Sequence, residues 1–116
     1  MATISKMDYH PFLRIENNYF KNYGGHILYQ IRDDYLCDFY GVMKYKYEDE
    51  YIKDFYGKML YRFDGKYYRG FNFQIMYEVK GELITDFYGR FLYRIDGNIS
   101  KKELAFLITL LNEGLV

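Results

Sequence analysis

Tryptophan is absent from this sequence, and proline and cysteine occur once each. One cysteine, Cys37, excludes an internal disulfide, so a reducing compartment is permitted and a cytoplasmic location is favoured. The start, MATISKMDYHPF, lacks an apolar h-region, so no signal peptide is expected. No window approaches the ~18 apolar residues of a membrane-spanning helix. Net charge is absent too: 16 Lys and Arg balance 16 Asp and Glu. That balance argues against nucleic acid as a partner, because affinity for it rests on neutralising phosphates. It also leaves little charge repulsion between copies.

What the chain does have is aromatics, 16 Tyr and 10 Phe among 116 residues. With so little proline, this composition favours strands, whose pleated surface suits aromatic side chains. A half-hydrophobic chain of this length is enough for one domain with its own core.

The dominant signal is an internal repeat. Five units of 16 residues run without a gap from 19 to 98. They read YFKNYGGHILYQIRDD, YLCDFYGVMKYKYEDE, YIKDFYGKMLYRFDGK, YYRGFNFQIMYEVKGE and LITDFYGRFLYRIDGN. Position 11 of the unit is always Tyr: Tyr29, Tyr45, Tyr61, Tyr77 and Tyr93. Position 5 is always aromatic, and position 7 is Gly except at Phe73. The segment PFLRIENN (11–18) matches the second half of a unit and reads as a half-repeat.

Each unit predicts a hairpin. In D-F-Y-G, Asp opens a type I turn and Gly takes the left-handed position that follows it. The next residues alternate polar and apolar, as a half-buried strand does. Asp64-Gly65 and Asp96-Gly97 read as two-residue turns; Asp33-Asp34 and Asp49-Glu50 replace them in units one and two. The expectation is an antiparallel meander of about ten strands of roughly five residues each. It can close around an axis or run as an open solenoid. Closure is favoured because it removes edge strands.

Residues 99–116 predict a helix. Ser100 and Glu103 form a capping box, the helix runs to about Asn112, and Gly114 stops it. LAFLITLL is apolar nearly all round, so the helix should be buried. Its expected place is across one open end of the ring. The alternative pairs it with its copy in a homo-oligomer.

No catalytic constellation is present, so no enzyme, cofactor or metal site is expected; His10 and His26 are isolated and no zinc, nucleophile-elbow or phosphate-loop motif occurs. Cys37 sits where other units have Lys, Arg or Thr and reads as a strand residue rather than a nucleophile. Asp38, Asp54 and Asp86 recur at position 4. They could ring a cation or sugar hydroxyls, but turn chemistry alone explains them. Lys46, Lys58, Arg62, Arg90 and Arg94 could form a basic face; Glu48, Asp49, Glu50, Glu78 and Glu82 dilute it, so a solvated face is favoured. Tyr29, Tyr45, Tyr61, Tyr77 and Tyr93 are the candidate ligand residues: in a closed ring, five hydroxyls at one level could line a pocket for a carbohydrate. A core ladder is the favoured reading of the same set.

The units, with DFYGRFLYRIDGN running into SKKELAFLITLLN, resemble the β-flower hairpin-repeat proteins of bacteria over residues 19 to about 112. The resemblance implies short hairpins arranged radially about an axis, and no activity. The toxin-type YD repeats share D-x-x-G-R-L but are longer. Choline-binding hairpin repeats are similar in layout, but they box choline with Trp, which is absent here. The reading is therefore one mainly-β domain of five hairpins around an axis, closed or nearly so, with one C-terminal helix. Segment 1–18 precedes the repeats (19–98) and helix (99–116). The expected function is a non-enzymatic interaction or scaffold module, with a small-ligand module as the alternative.

Overall fold

A computed structural model describes residues 1–116. The alternating segments form twelve strands: β1 (Ala2–Lys6), β2 (Pro11–Glu16), β3 (Tyr19–Asn22), β4 (Ile27–Arg32), β5 (Tyr35–Asp38) and β6 (Met43–Glu48), then β7 (Tyr51–Asp54), β8 (Met59–Phe63), β9 (Tyr67–Arg69), β10 (Ile75–Lys80), β11 (Leu83–Asp86) and β12 (Phe91–Gly97). Helix α1 (Lys101–Asn112) follows. Each strand pairs antiparallel with its chain neighbours, and β1 pairs with β12, so the meander closes into a barrel. The mainly-β, hairpin-around-an-axis architecture expected from the repeats is the observed one.

Three expectations change. The strands number twelve, not ten, because 11–18 is not a lone half-repeat. It is the second half of a complete sixth unit, Thr3–Asn18, whose register matches the other five. Ile4 and Ile15 fill the buried positions 2 and 13, and Leu13 stands where the others have Tyr. The first half of this unit hides because its turn letters differ. Lys6 replaces Asp, and Tyr9 takes the left-handed position with φ 66°.

The second change concerns Asp96-Gly97. No turn forms there; Gly97 lies in β12 opposite Ala2. A Cβ on Gly97 would sit 2.1 Å from the Met1 carbonyl oxygen, so glycine admits the N-terminal strand that closes the barrel. At Asp64-Gly65 a turn does form, shifted by one residue. Asp64 and Tyr67 flank Gly65-Lys66, and Asp64 Oδ1 accepts from the Lys66 and Tyr67 amides at 2.9 and 2.8 Å.

The barrel has two unlike ends. At the base end, turns at 17–18, 33–34, 49–50, 64–66 and 81–82 join consecutive hairpins. At the tip end, longer turns at 7–10, 23–26, 39–42, 55–58, 70–74 and 87–90 close each hairpin. Each tip repeats two backbone bonds, position 7 N–H to position 4 C=O and position 4 N–H to position 8 C=O, as in Gly57 to Asp54 (3.0 Å) and Asp54 to Lys58 (2.9 Å).

Inside, Ile4, Phe20, Leu36, Ile52, Tyr68 and Ile84 at position 2 are fully buried. Ile15, Ile31, Tyr47, Phe63 and Ile95 at position 13 are buried beside them. An eight-stranded barrel is just filled by side chains, so twelve strands enclose a wider lumen. Helix α1 fills it. Seven consecutive residues, Leu104–Leu110, are buried, which requires protein on every side of the helix. Lys101 and Lys102 reach Glu50 (2.6 Å) and Asp34 (2.9 Å) at the base end, while Asn112 and Glu113 meet tyrosines nearer the tips. The helix therefore threads the lumen instead of lying across one open end. Its capping box is as expected: Glu103 N–H donates to Ser100 Oγ (3.1 Å) and Ser100 N–H to Glu103 Oε1 (2.9 Å).

Candidate functional site

The five position-11 tyrosines lie inside the barrel, toward the tips, around the last turn of α1. Tyr29 donates to the Leu115 carbonyl at 3.2 Å. Tyr77 donates to Asn112 Oδ1 at 2.9 Å. Tyr61 donates to the Glu113 carboxylate and accepts from Asn112 Nδ2 at 3.0 Å. Tyr93 packs on Phe12 with ring centroids 5.8 Å apart. Tyr45 is half-buried and shares a cleft with Glu113. The ring exists, and three of its hydroxyls hold the end of the chain's own helix.

Burial makes hydroxyls of this ring harder to ionise. It raises Tyr29, Tyr45 and Tyr77, and burial with the Glu113 carboxylate pushes Tyr61 up to about 12. Two tyrosines not singled out by the repeat lie deeper. Tyr68 stands at position 2, where other units have Phe, Leu or Ile, and its hydroxyl meets Thr109 Oγ1 at 2.8 Å. Tyr47 donates to the Phe63 carbonyl at 2.6 Å. Both are strongly raised by burial. All these hydroxyls stay neutral at physiological pH and act as hydrogen-bonding groups.

The recurring aspartates serve their own turns. Asp38, Asp54 and Asp86 Oδ1 each accept two amides, from positions 6 and 8, at 2.9 Å. They stand on three separate tips. Four of the five basic residues are dispersed in salt links, Lys46 with Glu48 (3.0 Å), Arg62 with Glu50 (3.5 Å), Arg90 with Asp86 (2.8 Å) and Arg94 with Asp96 (3.2 Å), and Lys58 stands on its own tip. Cys37 is buried, and burial pushes its thiol pKa up, away from the thiolate a nucleophile needs.

The feature that the repeat analysis missed is at the tips. Eighteen large hydrophobic side chains are exposed, and sixteen of them occupy unit positions 5 to 9. Three tips carry a Phe–Tyr pair, Phe39–Tyr40, Phe55–Tyr56 and Phe87–Tyr88, packed edge to face at 5.4, 5.3 and 5.2 Å. Their outward exposure is high: Tyr56 is 90% exposed and Phe55 60%. Phe71 and Phe73 supply the fourth unit, and Tyr23 the first. A legible signal existed. Two consecutive aromatics inside a D-F-Y-G turn cannot both face the lumen, because neither lies in a strand.

Clefts open between adjacent tips. One of about 410 Å³ lies between the third and fourth, lined by Met59, Leu60, Phe71 and Met76 with Lys58 at its edge. Another of about 510 Å³ is lined by Tyr45, Phe55, Tyr56, Asp54 and Glu113. No helix is long and apolar enough to cross a membrane. No protein-family model, curated protein or solved structure matches the chain.

Proposed function

We propose that the protein is a non-enzymatic interaction module that docks through its aromatic tip end. One observation carries this reading: the exposed large hydrophobics are gathered at unit positions 5 to 9, at a single end of the barrel. Scattered exposed apolar residues are ordinary on a protein surface, whereas a contiguous group marks an interaction site. The tips are also pre-organised. Each is a hydrogen-bonded turn, so binding orders few new degrees of freedom. The helix, by contrast, has its apolar residues inside its own barrel. Self-association through the helix would require it to leave the lumen; association through the tips would not. The β-flower resemblance fits the hairpin layout and adds no activity to this reading.

The test needs no identified partner. The Phe39→Ser, Phe55→Ser, Phe87→Ser triple variant should keep the native thermal transition and elute far earlier from a phenyl-substituted column. Unchanged retention would show that the tips are not the molecule's adhesive surface.

A second reading, a binding module for a small hydroxylated ligand such as a carbohydrate, is favoured by the 510 Å³ cleft beside Tyr45 and Glu113. Of the five ring tyrosines its ligand would use Tyr45, since Tyr29, Tyr61 and Tyr77 hold the helix end and Tyr93 packs on Phe12 away from this cleft. A thermal-shift screen against sugars tests it: a ligand at 100 times its Kd adds about 2.7 kcal/mol to the folded state. A flat panel would remove this reading.

A further inference from the structure

The tip end has a composition and a shape that together select a class of partner. We propose that it docks on the surface of an anionic lipid bilayer, with the tip aromatics entering the headgroup layer; the inference rests on the interaction-module reading above. Three observations carry it.

The first is the distribution of the apolar residues. A protein–protein interface places its apolar anchors at the centre and its polar groups around the edge. Here the order is reversed. The apolar side chains stand on hairpin tips around the periphery, and the middle holds the end of α1, with Asn112, Glu113 and a single exposed apolar side chain, Leu115. Two such ends packed face to face would bring two Glu113 carboxylates toward a desolvated centre. A bilayer needs no such complementarity, because each tip enters lipid independently.

The second is residue type. Phe, Tyr and Met dominate the tips, and Tyr40, Tyr56 and Tyr88 each pair an apolar ring with a polar hydroxyl. Aromatic rings with one wet end suit the interface between water and hydrocarbon.

The third is charge. Positions 3 to 10 of the six units with Glu113 carry seven Lys and Arg against five carboxylates, and the remaining unit positions with Lys101, Lys102 and Glu103 carry nine against eleven. Asp38, Asp54 and Asp86 among those five accept from their own backbone turns through Oδ1, and Asp86 Oδ2 also accepts from Arg90. At the tips themselves Lys58 makes no salt link, Arg90 is held by Asp86 at 2.8 Å, and Asp8 is linked to His10 at 2.8 Å. The chain is neutral overall but polar along the barrel axis. An anionic surface attracts the tip half and repels the base half, which orients the molecule on approach.

The test is sedimentation of the full chain with vesicles. The protein should pellet with phosphatidylcholine–phosphatidylserine vesicles and only weakly with phosphatidylcholine alone. The Phe39→Ser, Phe55→Ser, Phe87→Ser variant should bind the mixed vesicles about tenfold more weakly or worse, since membrane affinity scales with buried apolar area. Lys58→Glu with Arg90→Glu should abolish the preference for phosphatidylserine. A reporter independent of those variants is available because the chain lacks Trp. In Phe55→Trp the indole emission should shift to the blue on adding mixed vesicles. An unshifted spectrum and an empty pellet would overturn the lipid proposal. If the triple variant nevertheless loses retention on the phenyl column, the interaction-module reading stands and only the lipid is wrong. A concentration-dependent dimer abolished by the same variant would likewise overturn the lipid in favour of a second copy.

Discussion

The same hairpin places aromatic rings in two opposite situations. At positions 2, 11 and 13, Tyr68, Tyr61 and Phe63 point into the lumen and are packed by α1 and by one another. At positions 5 and 6, Phe55 and Tyr56 stand largely in water, packed edge to face on each other at the side of an open cleft. Chemistry does not separate the two sets, since Phe and Tyr occur in both. Position relative to the turn does. The lumen set lies in strands whose inner face is covered. The tip set lies in a turn that the barrel cannot cover. The lesson is that residue type alone does not sort core from surface in this chain: the lumen aromatics hold the fold, and the tip aromatics are free for something else.

The largest effect that could break this division is removal of the helix. A chain ending at residue 98 leaves twelve strands around an empty apolar lumen and should lose its cooperative thermal transition. A truncated chain that melts cooperatively as a monomer would mean that the barrel holds itself. Next, Phe106→Ala removes a fully buried ring that meets Tyr47 at 6.3 Å and should cost about 3–5 kcal/mol in urea denaturation. A cost under ~1 kcal/mol would show a lumen that collapses onto the missing ring.

Alkaline pH probes the same set without mutation. Tyr61 is pushed from 10.0 up to about 12, and burial also raises Tyr47 and Tyr68. The unfolded tyrosines release their protons first. Stability is therefore fully present below pH 10 and falls as pH rises toward and past 12. A denaturation midpoint that stays level from pH 9 to pH 12 would contradict the buried placement of these hydroxyls.

Smaller effects belong to the tips. Gly57 has φ 84°, so Gly57→Val should destabilise by more than about 1 kcal/mol. The fourth unit runs the converse experiment, with Phe73 at the same position and φ 64°. Phe73→Gly should be neutral or gain up to about 1 kcal/mol. Equal and opposite results would show that one backbone conformation is shared by Gly and non-Gly tips. The smallest effect is expected from Phe55→Ser or Tyr56→Ser, within about 0.5 kcal/mol, because each ring is exposed. A loss as large as that of Phe106→Ala would erase the distinction between the two sets.

Local chemistry explains what was legible. The D-F-Y-G turns, the alternation after them and the Ser100–Glu103 box each involve hydrogen bonds within four residues, so a short window contains the whole cause. The sixth unit escaped for an instructive reason. In four units the position 8 amide is capped from position 4, by Asn22, Asp38, Asp54 or Asp86. In the other two it is capped from position 6, by Asp8 to His10 and by Asn72 to Gln74, each at 3.2 Å. The bond persists while the letter moves; the fourth unit stays legible because it keeps Phe71 and Tyr77 at positions 5 and 11, where the N-terminal unit has Met7 and Leu13. For the candidate site, the tyrosine ring was visible at period 16, but its occupant was not. Nothing near Tyr29 indicates that its hydroxyl meets Leu115, 86 residues away.

By itself, then, the sequence determined the hairpins, their period, the turn that leaves Phe and Tyr outside the strands, and the start of the helix. All of these follow from dihedral preferences and hydrogen bonds spanning a few residues. Only the tertiary structure decided that β1 closes on β12 across nearly the whole chain, that the helix threads the lumen, and that the exposed aromatics collect at one end. Those outcomes depend on how many strands surround the axis. A twelve-stranded ring is too wide for side chains alone to fill, so it draws in the most apolar segment available and leaves its turns in solvent.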